Sequence, residues 1–150
     1  MKYEIIALNE MQIVGLAVKA DNSEKGALII GNTWQRFFNE HIMKSINNKA
    51  TSLGIGLYTN YESDVLGSYT FLCGCEVTKN ENPELKSIKV PAGKYAKFTI
   101  KGHPVNDLMK AWQQIWQMQL SRKFTCDFEV YHYDNEDMNN QTIDIYIALK

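Results

Sequence analysis

The residue with the clearest capacity for chemistry is Glu129, in the run Cys126-Asp127-Phe128-Glu129-Val130-Tyr131. The β-branched and aromatic content of this run reads as a strand. Alternation then puts Phe128 and Val130 on one face, and Asp127, Glu129 and Tyr131 on the other. Two roles fit the carboxylate. It is a solvent-facing group on a half-exposed sheet, the commoner place for an acid, or it is the floor of an aromatic cleft. In a cleft it would attract cations and have a pKa raised by desolvation. Trp34, Phe38, Tyr58, Tyr69, Tyr95, Trp112, Trp116, Tyr131 and Tyr146 are spread along the chain. Most such rings are core material, yet a tyrosine hydroxyl needs a partner. Several of these tyrosines fall on strand segments beside Glu129. Rings around one carboxylate would hold a flat or cationic organic molecule by stacking and cation–π attraction.

The other reactive residues suggest less. His41, His103 and His132 are far apart in sequence, and His103 before Pro104 reads as a helix entry. Cys73 and Cys75 form C-x-C and share a strand face. They either pack as small hydrophobes or place two thiols in a pocket. With Cys126 the count of three is odd, so no disulfide framework is expected. No second cysteine pair completes a zinc site. G-x-S-x-G, P-loop, dinucleotide and H-E-x-x-H signatures are all missing. No metal and no cofactor is therefore expected.

The elements that must position these groups follow from the chain's patterning. At 150 residues and 45% hydrophobic, one domain with an adequate core is expected over 1–150. Sixteen basic against seventeen acidic residues give a net charge of −1, which argues against direct DNA binding. No apolar run approaches the ~20 residues of a membrane span. No secretory signal is visible in the opening MKYEIIALNE, so a cytoplasmic location is expected. Strands are expected at 3–8, 13–18, 53–58 and 68–77, with 21–26 a loop and a helix from about 33 to 46. In the strand at 68–77, Tyr69, Phe71, Cys73, Cys75 and Val77 share one face. The polar break Lys79-Asn80-Glu81-Asn82-Pro83 divides the chain into halves, about 1–80 and 85–150.

The second half repeats the order of the first. Strands are expected at 85–90 and 94–101 around a turn at 91–93, then a helix from about 105 to 120. Strands at 126–131 and 142–149 close the chain. The segment Thr33-Trp34-Gln35-Arg36-Phe37-Phe38 matches Ala111-Trp112-Gln113-Gln114-Ile115-Trp116, and Ile55-Gly56-Leu57-Tyr58 matches Phe128-Glu129-Val130-Tyr131. The fold expected is α+β: two pseudo-duplicated strand-helix-strand-strand units, an antiparallel sheet, two helices, and a central cleft between the halves.

The segment Val90-Pro91-Ala92-Gly93-Lys94-Tyr95-Ala96-Lys97-Phe98 resembles the turn-and-strand signature of the GyrI-like small-molecule-binding domain, the effector-binding domain of AraC-type and MerR-type transcription regulators. The resemblance continues through Gly102, Ala111 to Trp116, Phe128 to Tyr131 and Ile143 to Leu149. In the first half, Ile13 to Leu16 and Phe71 to Val77 fit the same family. It implies a duplicated fold whose cleft binds drug-like, often cationic or lipophilic, compounds. It further implies that Glu129 is the pocket glutamate, which favours the cleft over the solvent-facing reading, and that Tyr146 is a pocket tyrosine on the last strand. Gly56 stands where the second half has Glu129, so one half alone supplies the acid. The resulting expectation is a stand-alone small-molecule-binding protein with Glu129, Tyr146, Tyr95, Trp34, Phe38, Tyr58, Tyr69 and Trp112 around the ligand. A separate regulator or DNA gyrase is its possible protein partner. The alternatives are a small hydrolase, with Glu129 as base and Tyr146 or Tyr95 assisting, or an inhibitor module of the gyrase type.

Overall fold

The computed structural model describes residues 1–150. In chain order the elements are β1 (Glu4–Leu8), β2 (Met11–Ala20), α1 (Glu24–Asn39), a single turn α2 (Ile42–Ser45), β3 (Gly54–Thr59), β4 (Tyr69–Val77), β5 (Lys86–Val90), β6 (Gly93–Gly102), α3 (Asn106–Gln117), β7 (Cys126–Tyr131) and β8 (Gln141–Ala148). All eight strands form one sheet in the order β1-β6-β8-β7-β3-β4-β2-β5, and every pairing is antiparallel. The order is symmetric about the β7–β3 pair, where the two halves meet. The expected duplicated α+β architecture is present, with a further strand opening each half.

Those opening strands are exchanged. β1 pairs with β6 of the second half, and β5 pairs with β2 of the first. This exchange dictates the shape of the sheet. β1 and β2 are six strand positions apart, which in a flat sheet would be about 29 Å. Only Asn9 and Glu10 connect them, and three peptide steps span at most about 11 Å. The same holds for Pro91 and Ala92 between β5 and β6. The sheet must therefore curl until its ends approach. Residues 91–93 do not form a hairpin turn, as expected from Pro and Gly, but bridge the two ends.

Curling gives the sheet an inside without any helix. Ile13, Leu57, Leu72, Val90, Tyr95 and Phe128 are buried there. On the other face, α1 packs over β2 and β4 with Phe37, Phe71, Cys73 and Cys75 in the contact. Helix α3 packs over β6 and β8 with Phe98, Trp112, Ile115 and Ile145. The strand face read for 68–77 is the one that meets α1. The space between the two helices lies over β3 and β7.

Helix α1 begins nine residues earlier than its apolar stripe predicts. The polar segment at 21–26 holds a cap: Ser23 Oγ accepts the Gly26 amide at 3.1 Å, and Glu24 occupies the first turn. An oxygen at the cap satisfies an amide that the helix itself cannot, and an acid there meets the positive end of the dipole. Gly26 is required, because a Cβ would lie on the Asp21 carbonyl oxygen. The helix stops at Glu40, where His41 turns left-handed with φ 55°. Ile42 and Ile46 consequently fall outside α1. At the start of α3, His103 Nδ1 accepts the Val105 and Asn106 amides at 3.1 and 3.2 Å. Asp107 returns by accepting the His103 amide at 2.6 Å. Pro104 precedes the helix and does not lie in its first turn.

Candidate functional site

Glu129 lies at the centre of the molecule. Antiparallel register sets it directly opposite Gly56 on β3, beneath the gap between α1 and α3. It is 1% exposed. Three donors hold the carboxylate. Trp112 Nε1 donates to Oε2 at 2.6 Å and the Tyr58 hydroxyl donates to the same oxygen at 2.9 Å. The Tyr131 hydroxyl donates to Oε1 at 2.8 Å. A carboxylate offers about four lone-pair positions, so Oε1 keeps one free. Gly56 leaves that side open, since a Cβ there would stand 2.8 Å from Oε1.

Burial pushes the Glu129 carboxyl above its ordinary range, while the bonds from Trp112, Tyr131 and Tyr58 pull it back down. The donors thus favour the charged form that burial opposes. Burial and the neighbouring Glu129 charge push the Tyr58 and Tyr131 hydroxyls well above their ordinary value, so both stay protonated and remain donors.

A cavity of about 190 Å³ opens over this carboxylate. Trp34 of α1 and Trp112 of α3 form opposite walls, with Tyr58, Tyr69 and Tyr131 rising from the strands. The rings contact one another edge to face: Tyr58–Trp112 at 5.4 Å and Trp34–Tyr131 at 5.1 Å between centroids. Val105 and Met109 line the outer part and are themselves exposed, which makes the mouth apolar. The volume suits a group the size of one aromatic ring, since an apolar cavity of roughly 150 Å³ accommodates benzene.

Five of the expected site residues therefore converge on one cavity: Glu129, Trp34, Tyr58, Tyr69 and Trp112. Three do not. Tyr146 is paired in register with Phe128, one residue from Glu129, and so stands on the opposite face of the sheet. There its ring stacks on Phe128 at 4.6 Å. Tyr95 is also on the inner face, with its hydroxyl bound to the Pro91 carbonyl at 2.7 Å. Phe38 stacks outside Trp34 at 5.9 Å and is exposed, backing the cavity wall without lining it. Cys73 and Cys75 pack under α1 and do not line the cavity; burial pushes their thiols up to about 12 and about 11. Reasoning from sequence missed Arg122, which lines the cavity and pairs with buried Asp127 at 2.7 Å. Its position in an irregular segment after α3 gives no periodic signal. Tyr131 was legible, since it shares the strand face of Glu129.

The chain and its fold have relatives. The family model Cass2, described as integron-associated effector binding protein, matches residues 4–149. The chain belongs to the Cass2 family. Among solved structures, the Cass2 integron cassette protein from the mobile metagenome of Vibrio cholerae has 27% sequence identity and a TM-score of 0.75, covering 99% of this chain and 95% of that one. SAV2435, solved bound to tetraphenylphosphonium, shares the fold with a TM-score of 0.81 at 18% identity, over 100% of this chain and 94% of that one. YobU of Bacillus subtilis (strain 168), provisionally described as a transcriptional regulator, is 34% identical over 104 residues, 64% of this chain. The match spans 63% of YobU's length. The fold is GyrI-like, and the cleft at Glu129 is the candidate site of this Cass2-family chain. None of its helices is long and apolar enough to cross a membrane.

Proposed function

We propose that this Cass2-family chain binds small organic cations of aromatic or lipophilic character, with Glu129 as the charge partner. One observation carries the reading. A fully buried carboxylate, held by three donors, faces an aromatic cavity that supplies no cation to balance it. Arg122 is the one basic residue lining that cavity, and it is committed to Asp127. An ionised acid in a low-dielectric cleft is costly when alone and favourable when paired. A cation therefore gains the full interaction, and the rings of Trp34, Trp112 and the tyrosines add cation–π attraction. SAV2435, of the same fold, was solved with a lipophilic cation bound.

Three donors fill three of the roughly four lone-pair positions of Glu129, which leaves little of the carboxylate to take a proton from water and favours binding over the hydrolase expected as an alternative. A net charge of −1 gives this chain no basic surplus for DNA, so a regulatory role would act through another domain or another protein. Thermal-shift measurements with matched pairs test the reading: an aryl-alkyl trimethylammonium and its neutral tert-butyl counterpart. A ligand that binds only the folded state raises Tm. The cation should stabilise the chain and its neutral twin should do so far less. Equal shifts from both would remove charge from the account.

A further inference from the structure

Arg122 has more donors than its surroundings use. It enters the cavity wall from the segment between α3 and β7, with its side chain 7% exposed. Nη2 donates to Asp127 Oδ2 at 2.7 Å. Asp127 is otherwise satisfied: Oδ2 also accepts the Tyr61 hydroxyl at 2.6 Å, and Oδ1 accepts the Ala148 amide at 2.8 Å. Arg122 Nε and Nη1 have no acceptor within the protein. The guanidinium lies 4.2 Å over the Phe124 ring, which meets the charge but supplies no oxygen. Buried donors are nearly always paired, and an unpaired one carries the full desolvation penalty. Here two unpaired donors belong to a residue that lines a ligand cavity.

We infer that the ligand of this cleft is a monocation that also carries an uncharged acceptor oxygen, a carbonyl, ether or hydroxyl, which Arg122 binds through Nε or Nη1. The inference rests on the cation reading of Glu129 and specifies the rest of the molecule. The acceptor is uncharged because Asp127 already neutralises Arg122. A carboxylate or phosphate would place a surplus negative charge in a wall that also holds Glu129. Nε and Nη1 are sealed from solvent, so the acceptor reaches them only when the side chains packed around Arg122 give way on binding.

Calorimetry with two ligand series tests this. One series joins a benzoate ester to trimethylammonium through methylene spacers of increasing length, benzoylcholine being the shortest. The other is the matching phenylalkyl-trimethylammonium set, without the ester. At one spacer length the ester should bind about tenfold or more tightly than its partner, the range of one hydrogen bond to a charged donor. Arg122→Lys keeps a cation for Asp127 but lacks the guanidinium fork. It should erase that gain, read as the ratio of ester to plain-cation affinity measured in the same variant. In the wild-type chain, the Arg122 Nε–H resonance should also move with the ester and not with its partner, a readout that does not depend on the variant folding. Plain cations that bind, with no gain at any spacer length or a gain that survives Arg122→Lys, overturn this inference alone. If neither series binds, the cation reading falls and this inference with it.

Discussion

Gly56→Ala is the most incisive perturbation of the site, because it adds one carbon at the place the fold keeps clear. The new Cβ would stand 2.8 Å from Glu129 Oε1 and 3.3 Å from both Phe71 Cε1 and the Trp34 ring. An ordinary contact begins at about 3.4 Å, so Oε1 must retreat by roughly 0.6 Å, against packing as dense as an organic crystal. The carboxylate has little freedom to do so, since three donors at 2.6, 2.8 and 2.9 Å hold it. Overpacking of this kind costs about 1–3 kcal/mol. Replacing glycine within a strand returns roughly 0.5–1 kcal/mol of chain entropy. The net loss should be about 1–2 kcal/mol, or roughly 2–8 °C in Tm at this chain length. Cation affinity should fall further than stability, because the methyl group fills the open side of Oε1. Urea denaturation and calorimetric titration read the two effects separately. A Gly56→Ala chain with unchanged cation affinity would refute the placement of the ligand over Oε1.

Other outcomes follow from the same geometry. Trp112→Phe removes the shortest donor to Glu129 and should raise the carboxyl pKa further. Burial already raises it, so the free protein loses stability as pH climbs through the folded-state pKa. Cation affinity grows over the same window, and in Trp112→Phe that growth should move to higher pH in calorimetric titrations. Tyr146→Phe should leave cation affinity within about twofold of wild type, because its hydroxyl is on the far face of the sheet; a large loss would place the ligand elsewhere. Asp127→Leu strands the buried Arg122 charge and should cost about 3–5 kcal/mol in denaturant unfolding, a far larger effect than removal of a surface pair.

How far the sequence was legible depends on the range of the interaction that decides each feature. Strand β7 and the face of Glu129 were readable, since two-residue alternation is local and strong in Cys126–Tyr131. The correspondence of Trp34 with Trp112, and of Gly56 with Glu129, was visible as a faint repeat; the tryptophans form opposite walls of the central cavity and Gly56 lies beside Glu129 in register. Tyr146 was misplaced because its face depends on the β7–β8 register, which sets Phe128 and not Glu129 beside it. The exchange of β1 and β5 was not readable, since their partners lie in the other half of the chain. The start of α1 was hidden because Asp21 to Gly26 reads as polar loop, although Ser23 and Glu24 are capping residues. Arg122 was invisible for a related reason: its importance comes from burial beside Asp127 and Phe124, which only the folded chain supplies.

The central claim is that one buried carboxylate confers cation binding on the cleft, and Glu129→Gln tests it most directly. Gln keeps an oxygen for Trp112 and Tyr58, and the Tyr131 hydroxyl can turn to accept from the new amide. The cradle survives and the charge does not. Calorimetric titration with tetraphenylphosphonium should show affinity lower by about 1–3 kcal/mol, roughly 5- to 150-fold, as expected for a lost charge contact. The folded state should melt no lower than wild type near neutral pH. Equal affinity in the two proteins would contradict the account, whatever else the cleft proves to hold.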